Sequence, residues 1–171
     1  MSDWWRNAVS GTLNVVVLGA ILVLPAVSSA QTRTATVTVS INGLARMSLS
    51  ANAVTFPDSN PSLVPQVAPT SGPLNITVKA RTPLNATIRL SVLASDDLRS
   101  GVRTIPAATI TWTATGPGFV PGTLNTATPQ SVGSWIGSGV RTGAQSLLFA
   151  NSWNHPVGTF TTTMTYTLSS P

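Results

Sequence analysis

The chain has 171 residues, no cysteine, a formal net charge of +5 and only 8% charged residues. Without cysteine, disulfide staples and thiolate metal sites are excluded. The positive balance reflects few acids, since nine basic residues stand against four acidic ones and form no run. Nucleic-acid recognition wants clustered bases on a recognisable module, so no nucleic-acid partner is expected.

Residues 1–30 read as an export signal. Arg6 opens it, an apolar run spans Val15 to Leu24, Pro25 breaks any helix, and Ser28 and Ala30 supply a small-residue cleavage site. The run is about half the ~20 residues of a membrane span. A membrane is therefore expected as a partner only before cleavage, and the destination as periplasm, cell surface or extracellular space. The remaining 141 residues, 31–171, suffice for one domain with its own core. They hold twenty-four threonines, no glutamate and one lysine, Lys79. Branched Cβ atoms suit a pleated, half-buried surface, so composition predicts an all-β chain.

Period-two runs mark the strands. Thr34 to Ile41 sets Val37, Val39 and Ile41 against threonines, and Asn42-Gly43 then signals a hairpin returning along Ala45 to Ala51. Ala53 to Phe56 is a short further segment. Prolines 57, 61, 65, 69 and 73 make the next stretch an extended loop, a cover over a sheet edge in preference to a functional loop, pinned by Leu63, Val64 and Val67. Leu74 to Ala80 and Asn85 to Ala94 alternate cleanly and read as a hairpin pair. Ala108 to Gly116 places Trp112 inward. Weaker strand signals follow at Gln130 to Ile136 and Ala144 to Ala150, and Gly158 to Leu168 closes the chain. "SGVRT" occurs at 100–104 and again at 138–142, each time as a glycine turn entering a strand. Eight to ten short strands without a helix predict an antiparallel, immunoglobulin-like β-sandwich.

Catalytic chemistry is sparse. The one histidine, His155, lies in a turn, and the acids after the signal are Asp58, Asp96 and Asp97. Adjacent aspartates in a turn commonly cap their own backbone. No nucleophile elbow or zinc pattern is present, so no catalytic residue, metal or cofactor is expected. Asp58, Asn60, Asp96 and Asp97 offer at most oxygen ligands for calcium. Trp135 and Trp153, beside glycines and amides, are candidate glycan contacts or caps of the core. Asn75 and Asn85 open glycosylation triplets that matter only in a eukaryotic secretory route.

The closing stretch "HPVGTFTTTMTYTLSSP" resembles the terminal strand of WxL-type cell-wall-associated domains, with Tyr166 in the aromatic position. It is also similar to the final strand of spore-coat-U-like and other fimbrial subunits, and "AVTF" at 53–56 resembles their early motif. The chain lacks the fimbrial cysteine pair and a WxL triplet. The resemblance implies a bacterial surface protein that assembles by strand exchange or attaches to the wall. Candidate partner contacts are Val37, Val39, Ile41, Phe160, Met164, Tyr166 and Leu168. The function expected is a non-enzymatic exported structural or adhesive protein of the cell surface or a fimbria-like fibre. Its expected partners are surface-protein subunits, of its own kind or another, or cell-wall and extracellular polysaccharide. The alternative is a glycan-binding module using the two tryptophans.

Overall fold

A computed structural model describes residues 33–171, and the candidate signal at 1–30 lies outside the described residues. Eleven strands fall in one compact unit, Val39–Pro171. They are β1 (Leu44–Leu49), β2 (Gln66–Val67), β3 (Leu74–Arg81), β4 (Thr87–Ala94), β5 (Leu98–Ser100) and β6 (Arg103–Ile105). Then follow β7 (Ile110–Thr115), β8 (Gly122–Thr123), β9 (Gln130–Ile136), β10 (Gly139–Ala150) and β11 (Met164–Ser169). A 3-10 turn at Ala107–Thr109 is the one helical element among the described residues.

Two antiparallel sheets pack against each other as a β-sandwich. One has the order β1-β3-β10-β7-β8, with β2 also paired to β10; the other is β11-β4-β9. β5 and β6 form a separate ribbon. The alternation expected from sequence appears directly as burial. β3 turns Leu74, Ile76, Val78 and Ala80 inward, and β4 turns Ile88, Leu90, Val92 and Ala94 inward. Ile110, Trp112 and Leu147 join from the larger sheet, and Val132 and Trp135 from β9. Each fully buried aliphatic side chain contributes about 1.5–3 kcal/mol, enough collectively to hold the sheets without disulfides.

Several expectations are corrected. Residues 34–41 form no strand, and no ladder joins them to β1 across Asn42-Gly43. β1 instead pairs with β3, where its half-buried Ala45, Met47 and Leu49 reach the core. Residues 53–56 are not a strand either. β3 and β4 are not a hairpin, because they lie in different sheets. The chain leaving β3 is tied instead to the β9–β10 turn, where Ser138 Oγ accepts from the Thr82 N–H at 3.0 Å and donates to the Thr82 carbonyl at 3.1 Å.

The proline-rich loop is pinned by Val67 and not by Leu63 or Val64, which are exposed. β2 pairs with Phe149 and Ala150, continuing the edge that β3 covers only as far as Gln145. The closing strand is shorter than its alternation suggests. Thr161 pairs with Arg99, and the Thr162 hydroxyl donates to the Asp96 carbonyl at 2.7 Å, so regular pairing with β4 starts only at Met164.

Candidate functional site

The two sides of the sandwich are finished differently. Beside β9, residues 117–120 cover the edge: the Ser134 N–H donates to the Gly118 carbonyl at 3.0 Å, and the Val120 N–H to the Val132 carbonyl at 3.0 Å. Trp135 holds this cover in place. It is buried at 7% exposure, its Nε1–H donates to the Pro117 carbonyl at 2.8 Å, and its ring meets Phe119 edge-on at 4.9 Å. Gly118 and Gly133 lie against the indole, where a Cβ on either would strike it. Trp135 is therefore a core residue and not an exposed sugar-stacking ring. The paired small residues that accept it were visible in sequence as glycines, but not their convergence on one ring.

On the opposite side, β1 pairs only with β3 and β11 only with β4, and the two edge strands lie beside each other. Among the described residues, neither has a backbone partner along its outer edge. Such an edge is a template for another strand. Met47, Leu49, Met164, Tyr166 and Leu168 line it as half-buried side chains packed on the core. Phe160 packs on the same core ahead of β11. Val37, Val39 and Ile41 are strongly exposed, at 84%, 75% and 70%.

Tyr166 does more than pack. Its hydroxyl donates to Gln145 Oε1 at 2.6 Å, joining β11 in one sheet to β10 in the other. Gln145 is fully buried, and its Nε2 has no hydrogen-bond partner. Burial pushes the Tyr166 phenol up to about 12, because the phenolate loses its water inside the sandwich.

Trp153 stays at the surface, 71% exposed, with Nε1–H donating to Ser62 Oγ at 3.1 Å. Asn151 holds the same loop pair together, donating to the carbonyls of Ser59 and Val64. His155 packs against Phe149 and donates from Nε2 to the Ala150 carbonyl at 2.9 Å, so its ring closes a turn. Asp97 accepts from the Ala107 N–H at 2.8 Å. Asp96 accepts from the Asp97 N–H and pairs with Arg99 at 2.5 Å; that hydrogen bond, first of all, lowers its carboxyl below the usual range. Asp58 Oδ1 accepts from the Ser59 N–H and Asn60 Oδ1 from the Ser62 N–H. Each polar candidate is thus engaged in local loop structure, and no cluster of three or more metal-binding side chains occurs among the described residues.

Sequence reasoning missed one grouping. Arg46 and Lys79 stand directly opposite each other in the β1–β3 ladder, and Arg81 lies two residues along the same exposed face. The Lys79–Arg81 spacing was readable in the chain; Arg46 joins them only through the strand register. In comparisons with known proteins, no family model and no curated protein matches the chain.

Proposed function

We propose that the chain is a non-enzymatic exported protein of the bacterial surface, a structural or adhesive subunit that associates with further subunits through its open edge. The observation that carries this reading is the asymmetry of the sandwich. One side is sealed by the chain's own residues 117–120, while β1 and β11 lie together on the other with no partner along their outer edges among the described residues. Soluble proteins usually blunt such edges with lysines, prolines or covering loops. Here β11 carries none of these, reading Met-Thr-Tyr-Thr-Leu-Ser. Strand addition supplies the missing main-chain hydrogen bonds, and alternate side chains supply the fit. Residues 34–41 of a neighbouring copy have the required pattern, with Val37, Val39 and Ile41 exposed on a threonine-rich segment. The rival reading as a glycan module loses its pair of exposed rings, since Trp135 is buried.

Deleting residues 31–41 tests the proposal. Light scattering of the exported chain should show concentration-dependent association that the deletion abolishes, with the melting temperature of the sandwich unchanged. A full chain that stays monomeric at every concentration, or a deletion that associates equally well, would sink it.

A further inference from the structure

The fold sorts charge by end. At the end carrying the β3–β4 and β9–β10 connections stand Lys79 and Arg81 at the close of β3, and Arg46 opposite Lys79. Arg89 and Arg141, each the third residue of its strand, lie at that end as well. Acidic side chains are absent there among the described residues. All three described acids belong to the other end. Asp96 and Asp97 follow β4, and Asp58 sits in the loop that Asn151 fastens beyond β10. Arg99 and Arg103 accompany them.

We propose that the basic end, centred on Arg46, Lys79 and Arg81, binds an acidic polysaccharide of the uronate type. Residues directly opposite in a ladder have Cβ atoms about 5 Å apart, and like charges so placed are destabilising. No carboxylate offsets that repulsion here, since the one ion pair among the described residues joins Arg99 to Asp96 at the far end. A chain of carboxylates laid across β1 and β3 relieves it. The next row of the same face is Ser48, Thr77 and Thr142, brought into line by the two ladders. Those hydroxyls can give and accept hydrogen bonds, and the exposed Leu44 and Val140 offer apolar contact to ring C–H groups. None of these residues is aromatic, so the face lacks the stacking platform that single-stranded nucleic acid uses. The inference deepens the surface-protein reading and rests on it for choosing a glycan among polyanions.

The test is titration of the full chain with polygalacturonate, using neutral dextran as the control. Binding to polygalacturonate alone is expected. It should weaken at least tenfold between 50 and 500 mM salt, as the Debye length falls from about 14 to about 4 Å. The exposed triple variant R46Q/K79Q/R81Q should bind roughly tenfold more weakly or worse, and R99Q at the far end should bind as the parent does. An unchanged melting curve shows that the triple variant is folded. Equal binding by the triple variant, no binding by the parent, or tighter binding to duplex DNA or to phosphatidylglycerol vesicles would each overturn the proposal. Association of the chain by light scattering is read without polymer. A chain that self-associates yet ignores polygalacturonate therefore removes this inference alone.

Discussion

Raising the pH from 10 to 12 is expected to destabilise this protein by about 2–3 kcal/mol through one side chain. Tyr166 is the only tyrosine, so an absorbance titration of phenolate reads it without overlap. In the folded chain its pKa is pushed up to about 12 by burial, against about 10 in an unfolded chain. The folded state therefore holds its proton where the unfolded state releases it. The stabilisation is complete below pH ~10 and disappears as pH rises through ~12. Two units correspond to about 2–3 kcal/mol. Tyr166→Phe should abolish this alkaline loss. At neutral pH the same variant should cost about 1–3 kcal/mol in chemical denaturation, because Gln145 then keeps neither of its polar atoms partnered. The double variant Y166F/Q145M removes both buried polar groups and should recover most of that loss. A phenol titrating near 10, or a double variant no better than Y166F, would mean that the Tyr166–Gln145 bond does not hold β11 to the larger sheet.

Gly118→Ala is expected to be comparably damaging on the sealed side. Gly118 has φ +79°, a conformation that costs a side-chain-bearing residue about 1–2 kcal/mol. An added Cβ would also meet the Trp135 indole and the Ser134 carbonyl. Overpacking of this kind costs typically 1–3 kcal/mol. The total, about 2–5 kcal/mol, should appear as a lower denaturation midpoint together with a change in tryptophan emission as the ring is displaced. Gly72→Ala is the control for backbone strain alone, since its φ is +69° with nothing near its Cβ position. If the two variants lose the same stability, the packing of Trp135 on Gly118 contributes nothing.

The strands at the heart of the sandwich were legible because burial on one face imposes alternation. β3, β4 and β9 appear within a residue or two of their sequence signals. Trp112 was placed correctly for the same reason, as an inward residue of β7. The segment at 34–41 carries an equally regular pattern, yet forms no strand. Alternation specifies a strand only where something buries its apolar face, and sequence cannot say whether that partner lies in the same chain. The β3–β4 hairpin was expected from proximity in sequence, whereas β3 pairs with β1 and β10 and β4 with β11 and β9, partners that no local pattern announces. Trp135 and Trp153 looked alike beside their glycines and amides. What separates them is the loop at 117–120, which buries one ring and has no counterpart over the other. Arg46, Lys79 and Arg81 were invisible as a group because a ladder register, and not a run of residues, assembles them.

If the chain is the subunit proposed above, the edges of β1 and β11 that lack a partner among the described residues are where a neighbour adds. Hydrogen exchange of residues 31–171 at low and at high protein concentration measures this most directly. Slower exchange at high concentration is predicted for alternate amides of Leu44–Leu49 and Met164–Ser169, with residues 118–134 unchanged. Exchange in both edge strands that is indifferent to concentration, or new protection confined to the β9 side, would contradict it.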